Sequence, residues 1–379
     1  MPQEQEAFEK LQRAKPECDH YDWQQMVPQF GQHLICIRKN LDSIETLYVS
    51  ILKDSLLRNE KIHSLSTRNF GKVLDLEDFY KFVYRILGSR ERQITFWRIF
   101  DSVGRQLNTI EELLRTKSFI VYTGGTFMWP GVRKGFRRRT PDGYMMETLS
   151  LQPLVFRVEN FLTDEECEYV KAESEGVLRF HVAKEEGTYD GLEGVDQPEI
   201  TWRTSTQAFL PSHDKPKLGV IDDRLASLTK TSVLLQEDAQ VMKFEENQFY
   251  DFHHDYFDPK YFENDRGFLI QLKNNRNRLA TVLWYLSTVK TGDGGHTIFP
   301  LTEGKLKGPL NIKECEPSNS LKIQPRRKDI VLYYNLHADR SMDKFSLHGA
   351  CPVKARQPKW TANKWIWTDD PDWSQTRRR

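Results

Sequence analysis

Nothing in this sequence marks it for a membrane, a thiolate metal cluster or a polyanion. No apolar run approaches the length of a bilayer span. The opening residues, MPQEQEAFEKLQRAKPE, hold no apolar core that could act as a secretory signal. An Asn-x-Ser/Thr acceptor for N-glycosylation is absent. Cysteine is sparse: Cys18, Cys36, Cys167, Cys315 and Cys351 include no Cys-x-x-Cys pair and suit reduced thiols in a reducing compartment. Neither sign of charge is in excess, since 55 Lys and Arg meet 54 Asp and Glu. Wholesale binding to nucleic acid or an anionic membrane surface is therefore not expected. The basic runs 137–139 and 377–379 read as solvated surface charge. A repeat of fixed period is missing too.

What remains is ordinary globular composition, 38% hydrophobic and 29% charged, in a chain of 379 residues that can hold one large domain or two smaller ones. Its two halves differ in grammar. Leu34, Ile37, Leu41, Ile44, Tyr48 and Ile51 follow a three-four spacing that predicts a helical seam. Leu76, Phe79, Phe82, Val83, Ile86 and Leu87 predict a second helix, and Ile94, Trp97, Ile99 and Val103 a third beyond Gly88-Ser89. Asn108-Thr109-Ile110-Glu111-Glu112 has the pattern of a cap opening a further turn. Residues 1–117 are thus expected to be an α-helical region without chemistry of its own, whose helices could support self-association. An irregular connector, 118–150, follows.

From residue 151 the texture is strand-like. LVFRVENFL alternates, Thr163-Asp164-Glu165-Glu166 caps a helix, and TWRTSTQAFL, AQVMKF, LATVLWYLS, DIVLYYNL and KWTANKWIW follow. Turn residues separate these runs, as in an antiparallel sandwich or barrel. The expected layout is a 151–370 catalytic domain and a basic tail, 371–379, in an α+β chain.

NQFYDFHHDYFDP places His253 and Asp255 two residues apart, so on a strand both face one side. FSLHGACPV adds His348. Two imidazoles and one carboxylate on one face, with positions left open, form the ligand set of non-haem iron(II) oxygenases. Taken alone the tripeptide is weak, because strand histidines are more often surface or core residues.

Five blocks in order, FHHDYFDP, NRLATVLWYLSTVKTGDGGHTIFP, KDIVLYYNL, SLHGACPV and KWTANKWIW, resemble the catalytic domain of prolyl 4-hydroxylases over residues 151 to 370. The resemblance implies a double-stranded β-helix (jelly-roll) that binds Fe(2+) through His253, Asp255 and His348. It also implies 2-oxoglutarate and O2 as co-substrates, L-ascorbate as a helper, and a proline-containing peptide or protein as substrate. Lys359, before Trp360, falls where the family neutralises the distal carboxylate of 2-oxoglutarate. Lys364 is its rival but lies on the opposite face of the strand. Thr297 falls on the family's hydroxyl contact to the same carboxylate. Arg203 with Ser205, Glu237, Tyr250 and Arg278 fall on the peptide-binding positions, and residues 258–277 are an insertion expected to form a flap.

Three positions depart from the family pattern. Phe244 replaces a tyrosine whose hydroxyl bonds the co-substrate, a loss of about 1 kcal/mol. His296 replaces Glu in the Gly-Gly-Glu-Thr block, and Trp367 replaces the His of KWIH. These leave open a hydroxylase of another side chain such as lysine, or a peptide-binding module without turnover. Read as it stands, the chain is expected to be soluble and cytoplasmic. If a leader precedes it, the resemblance implies the lumen of the endoplasmic reticulum.

Overall fold

β-Branched and aromatic residues recur along both halves of the chain, and sheet dominates both. The computed structural model describes residues 32–39, 46–52, 60–66, 76–87, 97–116, 118–180, 204–302, 310–315 and 320–368. It divides into two compact units, 1–133 and 134–379, so the expected connector is shared between them. The basic tail lies outside the described residues.

In the first unit β1 (Gln32–Lys39), β2 (Thr46–Leu52), β3 (Glu60–Ser66), β4 (Arg98–Phe100), β5 (Gln106–Leu107) and β6 (Ser118–Tyr122) form one sheet, ordered β3-β2-β1-β6-β4-β5. This corrects the expectation of a helical N-terminal region. Leu34 and Ile37 lie opposite Leu52 and Val49 in an antiparallel pair, not along a helical seam. Consecutive Leu34, Ile35 and Cys36 are all fully buried, which a strand covered on both faces achieves and a one-sided helix does not. The expected helix near Trp97 is likewise β4.

Two helices do form where expected. In α1 (Leu76–Leu87), Leu76, Phe79, Tyr80 and Val83 face a core with Trp97 and Phe119. α2 (Ile110–Thr116) opens on a reciprocal cap, in which Glu112 N donates to Thr109 Oγ1 at 3.2 Å and Thr109 N to Glu112 Oε2 at 3.2 Å.

The second unit contains β7 (Arg137–Arg139), β8 (Met145–Leu151), β9 (Leu154–Val158), β10 (Arg179–Phe180), β11 (Thr206–Leu210), β12 (Ala239–Phe244), β13 (Tyr250–His253) and β14 (Arg278–Tyr285). β15 (Thr297–Phe299), β16 (Leu321–Ile323), β17 (Ile330–Tyr334), β18 (His348–Ala350) and β19 (Lys359–Trp367) complete it. Nine strands make a sheet in the order β10-β11-β12-β19-β14-β17-β9-β8-β7, and four make a second, β13-β18-β15-β16. Val155, Leu283, Tyr285, Val331 and Tyr333 of the larger sheet meet Phe299 and Ile323 of the smaller, so the two sheets share one core. α3 (Asp164–Glu175) opens on the expected Thr163 capping box and packs on β11 and β12. α4 (Pro216–Thr229) buries Leu218, Ile221 and Leu225, and its Asp222 receives Lys364 from β19.

The reduced-thiol expectation is overturned. Cys315 and Cys351 form a disulfide with Cα atoms 5.2 Å apart across a separation of 36 residues, and Cys36 is also disulfide-bonded. Sequence spacing could not show the first pairing, because folding alone brings Cys315 to the end of β18. Cys167 is free and buried. No helix among the described residues is long and apolar enough to cross a membrane.

Candidate metal and co-substrate site

His253 closes β13 and His348 opens β18, and the two are cross-strand partners with ring centroids 4.4 Å apart. Each imidazole is oriented by the same local device. His253 Nδ1 lies 2.7 Å from the carbonyl oxygen of Asp251, and His348 Nδ1 lies 2.9 Å from that of Ser346. A carbonyl only accepts, so each Nδ1 carries the proton and each Nε2 keeps its lone pair. Asp255 Oδ1 lies 3.6 Å from His253 Nε2, and Oδ2 lies 3.5 Å from His348 Nε2. One ligand atom from each of the three residues falls within 4.8 Å of the others. His254 turns away, its Nε2 set 3.0 Å from the Lys344 carbonyl oxygen.

The electrostatics suit a cation. Burial depresses the pKa of His253 to about 3, so its imidazole is neutral. Burial opposes charge on Asp255, but the imidazoles, Arg278 and the Thr281 hydroxyl outweigh it and hold the carboxyl well below the usual range. Burial, with the Asp255 charge beside it, raises the pKa of Tyr333 well above that of a free phenol. Tyr333 Oη lies 2.7 Å from Asp255 Oδ2 and 2.9 Å from His348 Nε2. A phenol has one proton and cannot serve both acceptors, so one buried acceptor is left for a cation to satisfy. Two nitrogens and one oxygen without thiolate fit iron(II) and disfavour a structural zinc.

Lys359, 1% exposed, begins β19 opposite Phe244 of β12. Its Nζ lies 4.9 Å from the Phe244 ring centre, and burial alone lowers its pKa to about 7. Lys364 is committed elsewhere, 2.9 Å from Asp222. Thr297 Oγ1 accepts from Tyr285 Oη at 2.9 Å. The preceding Gly-Gly turn is sterically required. Gly294 has φ +69°, and a Cβ there would lie 2.2 Å from the Pro352 carbonyl oxygen. His296 is half-buried, and burial together with Lys322, Lys359 and Lys354 lowers its pKa.

Of the peptide-contact candidates, Arg203 lies outside the described residues. Ser205 is fully buried with an Oγ that has no hydrogen-bond partner. Tyr250 stacks on the His253 imidazole at 3.9 Å. Glu237 and Arg278 are engaged with each other: Arg278 Nε and Nη2 donate to the two Glu237 oxygens at 2.6 and 2.8 Å. Trp367 Nε1 also donates to Glu237, at 2.6 Å, and the Arg278 guanidinium lies 3.7 Å from the Trp365 ring centre. The insertion forms a helical turn at Pro259–Phe262 and α5 (Arg266–Gln271). It is anchored by Phe257, Phe262 and Phe268, with Phe257 stacked on Trp367.

Sequence reasoning missed Thr281, Tyr333 and Asn335. Alternation along DIVLYYNL gave the available signal, since it puts Val331, Tyr333 and Asn335 on one face.

Residues 239–367 match the family model described as the 2OG-Fe(II) oxygenase superfamily. The chain is 33% identical over 232 residues to Prolyl 4-hydroxylase 2 of Arabidopsis thaliana, covering 60% of this chain and 71% of that protein. It is 34% identical over 228 residues to Probable prolyl 4-hydroxylase 7 of the same plant, covering 59% and 66%. Among solved structures it is similar to the viral collagen prolyl hydroxylase of Paramecium Bursaria Chlorella virus-1, at 21% identity and a TM-score of 0.39, covering 57% and 96%.

Proposed function

Because this chain belongs to the prolyl 4-hydroxylase family of 2-oxoglutarate- and iron(II)-dependent oxygenases, we propose that it hydroxylates proline residues of a peptide or protein. Its second unit is read as the family's double-stranded β-helix. The observation that carries the reading is the convergence of two imidazoles and one buried carboxylate, in a unit that also holds a buried lysine with no carboxylate partner among the described residues. His253, Asp255 and His348 would hold iron(II), and Lys359 with Thr297 would hold 2-oxoglutarate by its distal carboxylate. When bound, iron(II), 2-oxoglutarate and O2 supply the oxidising chemistry, with release of succinate and CO2.

The residues of this chain bind, orient and exclude water. Backbone carbonyls fix the tautomer of each histidine, so the ligand nitrogens need no reorganisation. Lys359 meets the co-substrate in a dry pocket, where a charged pair is strong. Phe244 keeps that pocket apolar and offers a ring face to the ammonium in place of a hydroxyl. Arg203, Ser205 and Tyr250 are the proposed peptide contacts. Glu237 and Arg278 shape the same wall through their mutual pair, stacked between Trp365 and Phe257. Ascorbate is the expected reductant for keeping iron divalent.

The test is incubation of the purified protein with iron(II), 2-oxoglutarate and a panel of proline-rich peptides. Succinate should form in step with a gain of one oxygen on a prolyl residue. Succinate with oxygen on another side chain would move the substrate class, and no succinate at all would remove the enzyme reading.

A further inference from the structure

Tyr333 on β17 and Thr281 on β14 are cross-strand partners, fully buried on the inward face of the larger sheet. Both hydroxyls converge on a single atom. Tyr333 Oη and Thr281 Oγ1 each donate to Asp255 Oδ2 at 2.7 Å. The direction of the Thr281 proton is fixed from behind, because Thr281 Oγ1 accepts from Asn335 Nδ2 at 2.9 Å. Thr281 and Tyr333 therefore aim two donors at one carboxylate oxygen, with Asn335 holding Thr281 from behind.

A carboxylate oxygen has two in-plane lone pairs, and these two donors occupy both on Oδ2. Oδ1 receives no such pair and lies on the His253 side, 3.6 Å from its Nε2. We infer that Tyr333 and Thr281 are positioning residues that restrict Asp255 to one metal-binding oxygen, Oδ1. The inference rests on the hydroxylase reading of the site. Its consequence is chemical. A carboxylate free to turn can chelate a hard cation through both oxygens. That second oxygen would take a position required by the keto-acid end of 2-oxoglutarate or by O2. Thr281 and Tyr333 thus protect the vacancy on which co-substrate binding depends, without touching the co-substrate.

The experiment measures iron(II) affinity by chelator competition. It also measures, without O2, the visible charge-transfer absorption that develops when 2-oxoglutarate chelates iron(II). The proteins are the wild type, Tyr333→Phe, Thr281→Val and Thr281→Ser. Tyr333→Phe removes one oxygen and keeps the ring, so loss of a hydrogen bond to a buried charge is isolated. It should reduce the absorption at saturating iron about tenfold or more, whereas iron(II) affinity should hold or rise, because a carboxylate free to chelate offers the metal a second oxygen. Thr281→Val should do the same, and Thr281→Ser, which restores the hydroxyl, should recover most of that loss. The double variant Tyr333→Phe/Thr281→Val should lose less than the product of the two singles, because both act on one atom. Absorption in Tyr333→Phe within twofold of wild type at saturating iron, or a loss of iron(II) affinity that accounts for the lost absorption, would overturn the inference alone. Equal defects in Thr281→Ser and Thr281→Val would also overturn it, since they would reflect packing rather than the hydroxyl. A wild type that binds no iron(II) and develops no absorption would remove the hydroxylase reading along with it.

Discussion

Lys364 Nζ meets Asp222 at 2.9 Å in a buried ion pair, on the face of β19 opposite the one that carries Lys359. The two lysines are five residues apart in one strand, and the proposed function gives them different roles. Lys364→Met would leave Asp222 buried without its cation, at a cost of about 3–5 kcal/mol of stability. Lys359→Met removes a buried amine that no carboxylate among the described residues balances, so stability should hold or rise. Affinity for 2-oxoglutarate should respond the other way, falling more than a hundredfold in Lys359→Met. Denaturant midpoints and 2-oxoglutarate titrations of the two variants check this. A co-substrate defect confined to Lys364→Met would exchange the assignments.

The same buried ammonium predicts a pH dependence. Burial lowers the pKa of Lys359 to about 7, whereas the co-substrate carboxylate needs the charged form. Below about pH 7 the site is already protonated, and above it each bound 2-oxoglutarate must recruit a proton. Affinity should therefore fall about tenfold per pH unit from pH 7 to 9. Calorimetry in buffers of different ionisation enthalpy should register uptake of one proton per bound 2-oxoglutarate at about pH 8. Pure release of the ligand's own hydration heat, with no buffer dependence, would deny Lys359 this role.

The proposed metal ligands make a third prediction, through the iron-free protein. His253 is neutral in the folded state down to about pH 3, while in an unfolded chain it protonates near its ordinary 6.5. The unfolded state then binds the additional proton throughout that window, so stability falls as the pH falls from 6.5. The slope from this site is about 1.4 kcal/mol per pH unit. His253→Ala should flatten the acid limb of the denaturation curve while abolishing iron binding. An acid limb as steep in His253→Ala as in wild type would place the sensitivity on other groups.

Much of the second unit was legible because its signals are local. The β-rich runs AQVMKF and KWTANKWIW form β12 and β19, buried along nearly their whole length, and the Thr163 cap opens α3 as its pattern requires. The odd spacing of Lys359 and Lys364 already placed them on opposite faces. The Leu34–Ile51 stretch misled because positions three and four apart can also be filled by a strand buried on both sides. The β-branched content of QHLICIRK and TLYVSIL was the better guide. The Glu237–Arg278–Trp367 cluster joins three separate segments at the Glu237 carboxylate, so no single segment could reveal it. The Tyr333 contact to Asp255 spans 78 residues and depends on register between strands, which is a property of the fold.

The disulfide bears on the metal site through packing. Cys351 directly follows β18, whose first residue is His348, and Cys315 lies with Ile312 in the loop that covers the same strand. A Cβ on Gly349 would come within 2.9 Å of Ile312 Cδ1, so this loop presses on the residue beside the metal ligand. Closing a loop across 36 residues restricts the unfolded chain by about 3–4 kcal/mol in the chain-entropy account. Cys315→Ser/Cys351→Ser should lose stability on that scale and should bind iron(II) more weakly, because the end of β18 then loses its covalent tie to the covering loop. Thiol reductant should shift wild type further than the double variant, which retains only the Cys36 disulfide. The measurements are denaturant midpoints and iron(II) titrations, each with and without reductant. If wild type and variant share one midpoint under oxidising conditions, the bond adds nothing to this fold. If the midpoint falls while iron affinity holds, the loop stabilises the unit without positioning His348.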